Sequence, residues 1–255
     1  MLILSYLALG LFIGAFGTLV GVGGGFLLVP LFIMVFHWSP AHAVGTSLAI
    51  VFLNALSGSI AYVKQKKVYY DAAIRFSLAT LPGAFLGSYL VQYFTGATFR
   101  TAFGVLLLII AVLMFFRPSA KGQQPAFDAK TFTYNRVFGV LLSLVVGFLS
   151  SILGIGGGVI HVPAMVYLLS FPPHIATATS HFVLCISSFV GVISHFLLGN
   201  ILLMPAATIG IGAVIGAQAG AKLSTKTKSR VIMILLAVAL FGLGLRLIFT
   251  AHAFA

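Results

Sequence analysis

Residues 21–30 read Gly-Val-Gly-Gly-Gly-Phe-Leu-Leu-Val-Pro, and residues 154–163 read Gly-Ile-Gly-Gly-Gly-Val-Ile-His-Val-Pro. An offset of 133 positions relates them. The same offset, without a gap, lays Pro40 on Pro173, Ala43 on Ala176, Thr46 on Thr179, Ser47 on Ser180, Gly58 on Gly191, Gly83 on Gly216 and Gly87 on Gly220. A single glycine run matches by chance easily, but a constant register from Gly21 to Gly87 does not. The chain is a duplication.

Of its 255 residues 61% are apolar and 6% charged, and the mean hydropathy is +1.19. A soluble domain is about 45–50% apolar and about 25% charged, so this is an integral membrane protein whose first partner is the lipid bilayer. Fourteen Lys and Arg face two acids, Asp71 and Asp128, for a net charge of +12. In a soluble protein that balance points to nucleic acid. Here the bases lie in short connectors between apolar runs and read as topology signals, so no nucleic-acid partner is expected. The single cysteine, Cys185, lies in an apolar run, which excludes a disulfide framework and a thiolate metal site. It reads as a small buried hydrophobe, and neither a cofactor nor a metal is expected.

Ten apolar segments follow one another, at 2–20, 26–37, 40–63, 72–92, 99–116, 136–153, 159–171, 174–197, 201–221 and 229–249. Most reach the ~18–25 residues of a spanning helix. The segments 26–37 and 159–171 are too short, and each follows a glycine cluster, which suggests a broken or re-entrant helix. The first segment lacks the basic flank of a signal peptide, so no cleavage is expected. Residues 117–135 form the longest polar connector and read as a cytoplasmic linker between a first repeat, 1–116, and a second, 136–255. The basic clusters Lys64, Lys66 and Lys67, then Arg117, Lys121, Lys130 and Arg136, then Lys222, Lys226, Lys228 and Arg230 all fall on one side by segment counting. The positive-inside rule makes that side cytoplasmic, with both termini outside.

Each half holds an odd number of crossings whether or not its short segment spans, so the second half enters the membrane from the opposite side. The charges agree, because Lys64–Lys67 is basic where its counterpart near Gly199-Asn200 is neutral. The expected fold is an all-α polytopic membrane protein of two inverted-topology repeats, each with a glycine-broken short helix pair plus three spanning helices. Secondary transporters are built this way, with the substrate near the bilayer midplane between the repeats.

The paired Gly-x-Gly-Gly-Gly-…-Val-Pro runs, each followed by a small-Thr-Ser tract (Gly45-Thr46-Ser47 and Ala178-Thr179-Ser180), resemble the TauE/SafE sulfite exporter family over nearly the whole chain. The resemblance implies a multi-pass permease of the cell inner membrane for sulfite or a related small organosulfur anion, usually exporting.

The residues allow a site to be drawn. If the breaks lie near midplane, the short helices after them present free N–H groups there, and a helix N-terminus favours anions. Gly23, Gly24, Gly25, Gly156, Gly157 and Gly158 are therefore the expected substrate cradle, although glycines also serve close helix packing. Pro30 and Pro163 raise a second placement, in which each short helix starts at its proline after an extended stretch. Thr46, Ser47, Thr179 and Ser180 supply hydroxyls that bind an anion without a net charge; helix–helix hydrogen bonds are their alternative use. Asn54, matched by Ser187, is costly in lipid unless it faces a partner or a cavity. His161, His181 and His195 have Leu28, Leu48 and Tyr62 as counterparts and so lie outside the duplicated design. His181, beside Ser180, is placed to protonate or pair with a bound anion, and a structural role is its other reading. The stripes Gly83/Gly87 and Gly212/Gly216/Gly220 read as packing within one protomer, with a homodimer face as the second reading.

The function expected is export of sulfite or a sulfonate by alternating access, without catalysis. Two rivals stand beside it. A passive anion channel differs by showing no counterflow. A b-type haem subunit needs a facing histidine on another helix, and no second 14-residue pair accompanies His181 and His195.

Overall fold

In a computed structural model, residues 2–116, 127–129 and 131–253 are described, and among them there are helices and no strands. The first ten residues of the expected linker, 117–126, lie outside the described residues, as do Arg117, Lys121 and Lys130.

All ten apolar segments are helical. In the first half they are α1 (Leu2–Val20), α2 (Gly25–Met34), α3 (Pro40–Lys64), α4 (Tyr70–Leu90), with a single 3-10 turn at Val91–Tyr93, and α5 (Gly96–Phe116). In the second half they are α6 (Arg136–Leu153), α7 (Gly158–Tyr167), α8 (Pro173–Leu197), α9 (Leu203–Lys226) and α10 (Ser229–Ala253). Eight are long and apolar enough to cross a bilayer; α2 and α7, at 10 residues each, are not. Local chemistry sets several of the ends. Ser39 accepts from the His42 N–H with Pro40 at the first helical position of α3, and Asn135 accepts from the Phe138 N–H at the head of α6.

The short helices fold back on the long ones before them. A Cβ on Gly24 would lie 3.0 Å from the Ile13 carbonyl, and its counterpart on Gly157 would lie 3.2 Å from Val146 Cγ1. Further along, the Tyr6 and Phe36 rings are 5.9 Å apart, and His161 Nε2 is 3.0 Å from Ser143 Oγ. Each pair is thus a hairpin that leaves the chain near the level where it began. Ten residues cover only about 15 Å as a helix, and a hydrogen-bonded turn follows each, closed by the Trp38 N–H on the Phe32 carbonyl and by its counterpart from Phe171 to Met165.

Small residues join the halves. A Cβ on Gly14 would lie 2.6 Å from Ala213 Cα, and one on Gly147 would lie 2.8 Å from Thr80 Cα. These two contacts are related by the offset of 133. Gly216 and Gly220 abut Leu11 and Ala15 in the same way, so these glycines pack α9 on α1 within one protomer, while Gly83 and Gly87 pack α4 on α6. Helix α3 runs beside α9 in the same direction, whereas α3 and α8 are antiparallel: Gly58 meets His181 at one end and Leu48 meets Gly191 at the other. Helices α5 and α10 are antiparallel as well, with Gly104 against Gly244. Large apolar side chains such as Phe12, Leu78, Phe85, Leu113, Leu141 and Ile215 face outward, where hydrocarbon rather than water covers them.

Candidate functional site

Each break owes its shape to glycine. Gly21, Gly23 and Gly24 have φ of +80°, +78° and +85°, and Gly154, Gly156 and Gly157 repeat the pattern at +69°, +75° and +87°. A side chain rarely adopts these angles. Helices α2 and α7 start at the residues following Gly24 and Gly157. Pro30 and Pro163 therefore lie inside the helices and do not open them. Neither Gly24 nor Gly157 carries a side-chain cap, and among the described residues no carbonyl takes the N–H of Gly25, Phe26, Gly158 or Val159.

The breaks meet each other. A Cβ on Gly25 would lie 2.5 Å from the Gly154 carbonyl oxygen, and one on Gly158 would lie 2.5 Å from that of Gly21. Val51 of α3 and Leu184 of α8, themselves related by the 133 offset, close the space between. Val51 Cγ1 would come within 3.1 Å of a Cβ on Gly23 and 2.7 Å of one on Gly156. Gly23, Gly156, Val51 and Leu184 are all buried, so this conformation is occluded on the line between the two glycine tips.

The hydroxyls expected to line the site divide by use. Thr46 Oγ1 accepts from the Leu202 N–H at 3.0 Å, and Thr179 Oγ1 accepts from the Tyr69 N–H at 3.0 Å. Each threonine thus holds the residue that opens a helix of the other half. Ser47 Oγ donates to the Gly154 carbonyl at 2.9 Å. The matching bond from Ser180 to Gly21 is not made: Ser180 Oγ is fully buried and without a partner. Thr177 Oγ1 and His181 Nδ1, on the same face of α8, are also buried and unpartnered. An unmet buried polar group costs roughly 1–3 kcal/mol, and three of them lie on one helical turn.

That turn faces the first break. Thr177 packs on Gly21, with its Cγ2 2.7 Å from where a Cβ would be. On the other side of His181, Nε2 is 3.4 Å from Thr18 Oγ1, Thr18 Oγ1 donates to Asn54 Oδ1 at 3.0 Å, and Asn54 Nδ2 donates to the Gly23 carbonyl at 3.1 Å. Tyr62 donates to the Thr18 carbonyl at 2.7 Å and sets its ring edge-on to the imidazole. The second half has Ser151, Ser187, Leu48 and His195 at the positions of Thr18, Asn54, His181 and Tyr62. Each repeat-related pocket therefore has one buried histidine, but at different positions: His181 in the first and His195, in place of Tyr62, in the second. Of the other histidines, His161 bonds Ser143 and stacks on Phe76, while His195 keeps Nδ1 on Asn200 and leaves Nε2 buried without a partner.

Thr18, Thr177, Val51 and Leu184 were not singled out from the sequence. The offset that pairs Asn54 with Ser187 also pairs Thr18 with Ser151, a signal that was available. Thr177 stands where the first half has Val44 and, like His181, breaks the repeat. No cluster of His, Cys, Asp or Glu suited to a metal ion occurs among the described residues.

A family model described as sulfite exporter TauE/SafE matches residues 6–247. The chain is 33% identical to the probable membrane transporter protein YunE of Bacillus subtilis, over 94% of this chain and 95% of that protein. It is 27% identical to the probable membrane transporter protein MJ0441 of Methanocaldococcus jannaschii, over 92% and 91%. With the probable membrane transporter protein YfcA of Escherichia coli the identity is 24%, over 90% and 84%. No solved structure matches.

Proposed function

The chain belongs to the sulfite exporter TauE/SafE family, a family of membrane transporters, and we propose that it moves sulfite or a small organosulfur anion outward across the cell inner membrane by alternating access. The observation that carries this reading is the unpartnered turn Thr177–Ser180–His181 against the break at Gly21–Gly25, where the N–H groups of Gly25 and Phe26 are also free. The Thr177 and Ser180 hydroxyls and these N–H groups are donors without acceptors, which fit an oxyanion. The only acids of the chain are Asp71 and Asp128, and Asp71 is held by Arg75, Arg136 and Tyr134, which argues against a cation as substrate.

In this reading the two halves are inverted repeats, supported by the antiparallel packing of α3 on α8 and of α5 on α10. The basic connectors face the cytoplasm and both termini lie outside. Rocking of one half against the other separates Val51 and Leu184 from the glycine tips and opens the breaks to each side in turn. A negative interior favours outward movement of net negative charge by about 2.3 kcal/mol per charge per 100 mV. The protein transports without altering its substrate.

A thermal-shift titration of purified protein with sulfite, thiosulfate, sulfate, sulfoacetate and chloride tests the substrate class, because a ligand bound to the folded state alone raises its apparent stability. Sulfite or sulfoacetate is expected to stabilise the protein selectively, and the effect is expected to shrink in Ser180→Ala. Stabilisation by chloride alone, or by none of the five, contradicts the reading.

A further inference from the structure

The two repeat-related pockets carry their ionisable groups at different positions, Tyr62 of the first having His195 as its counterpart. His181 stands in the first where Leu48 stands in the second, and it is fully buried. Its one side-chain polar contact, at 3.4 Å, favours one tautomer in the unliganded state. Thr18 gives its only hydroxyl proton to Asn54 Oδ1, so at Thr18 it is an acceptor toward Nε2, and Nε2 carries the hydrogen. Nδ1 is then a bare acceptor with no donor to meet it. An anion arriving between this turn of α8 and the first break, where Thr177 packs on Gly21 and the Gly21 backbone faces the imidazole, meets that lone pair, which repels it, unless Nδ1 takes up a proton. Protonation turns the misfit into a charge-assisted donor and neutralises one negative charge in a buried site, where an uncompensated ion is costly.

The surroundings leave this task to the imidazole. From α3, the Asn54 backbone and the Tyr62 ring face it, with Ser59 on the His181 carbonyl; from α1, Thr18; from the break, the Gly21 backbone. Tyr62 is the titratable group among them, and no charged side chain of the described residues acts on His181.

We infer that His181 takes up one proton from the medium, at Nδ1, with each anion bound, so that anion and proton occupy the site together. This rests on the anion reading above and adds its coupling. The proton comes from solvent, a new N–H bond forms at Nδ1, and no bond of the anion changes. Carrying that proton lowers the charge moved per anion by one and makes the flux responsive to a pH gradient.

Isothermal titration of the full-length protein with methanesulfonate, in two buffers of different ionisation enthalpy, tests this. Methanesulfonate does not titrate near neutrality, so every proton counted is taken up by the protein; sulfite is run in parallel with its own titration subtracted. The wild type is expected to take up about one proton per anion, with an apparent Kd that rises about tenfold per pH unit once the free imidazole is neutral. His181→Gln is expected to bind more weakly and to take up no proton. Proton uptake that survives in His181→Gln, or a wild-type Kd that is flat with pH, overturns the inference while leaving anion binding in place. If His181→Gln does not fold, the wild-type pH dependence decides alone. Binding of neither anion overturns the anion reading and this coupling with it.

Discussion

Thr46 of α3 and Leu202 at the head of α9 are joined by a 3.0 Å hydrogen bond from the Leu202 N–H to the threonine hydroxyl. Thr179 repeats the bond to Tyr69 at the head of α4. Both contacts tie a long central helix of one half to the start of a helix in the other. Thr46→Val and Thr179→Val keep the shape and remove the acceptor, so each is expected to cost about 1 kcal/mol. Thermal unfolding in detergent should show a lowered Tm for both, largely restored by serine.

The contact between the breaks makes a steric prediction. Gly25→Ala and Gly158→Ala place a methyl group 2.5 Å from a backbone carbonyl oxygen of the opposite break, a clash that only a backbone shift relieves. A cost of roughly 1–3 kcal/mol is expected for each. Gly96→Ala, where nothing lies within 4 Å, is the control and should leave the Tm unchanged.

Leu184 seals the gap between Gly23 and Gly156. Leu184→Ala removes that seal and is expected to destabilise by roughly 2 kcal/mol or more through the void it leaves. In liposomes the variant should leak anion down its gradient with no anion on the opposite side, whereas the wild type should not. An unchanged leak rate would place the barrier elsewhere.

His161 provides the contrast to His181. It is buried, bonded to Ser143 and stacked on Phe76, and Leu28 is its counterpart. In His161→Leu, Ser143 keeps its bond to the Gly139 carbonyl, so no polar group is orphaned and stability should fall by less than about 1 kcal/mol. Anion flux and its pH dependence should remain those of the wild type.

Where the linker enters α6, Asp71 accepts from the Tyr134 hydroxyl at 2.9 Å and pairs with Arg75 and Arg136 at 3.1 and 3.4 Å. Burial first, and the Asp71 carboxylate second, push the Tyr134 phenol above its ordinary range. A group whose folded pKa is raised adds stability that is full below the unfolded value, here 10.0, and is lost as pH climbs past it. Tm measured from neutral pH upward should therefore fall in the alkaline range, and Tyr134→Phe should flatten that fall. The ion pairs are partly solvent-exposed, so Asp71→Asn should cost less than about 1 kcal/mol at neutral pH.

The helices were legible in the sequence because hydrocarbon imposes a minimum length and apolar composition on any spanning element. The breaks were legible because left-handed backbone selects glycine and the repeat shows it twice. The start of the short helices was not settled by the sequence. Pro30 suggests an opening residue, yet it lies in the second turn of α2, where a proline removes the donor to the Phe26 carbonyl; the left-handed turn at Gly24 sets the start earlier. The roles of the hydroxyls were not legible either. Ser47 and Ser180 are equivalent in sequence, and only the packing gives Ser47 an acceptor and leaves Ser180 without one. Val51 and Leu184 escaped notice because an aliphatic side chain that plugs a gap looks, in sequence, like one that meets lipid.

The most direct test of the central claim is counterflow of labelled sulfite in liposomes containing the purified protein. Sulfite on the trans side is expected to accelerate exchange of the label several-fold, and Ser180→Ala together with Thr177→Val is expected to slow it. Label movement that trans sulfite does not accelerate, or no sulfite movement above that of protein-free liposomes, would contradict an alternating-access anion site at the paired breaks.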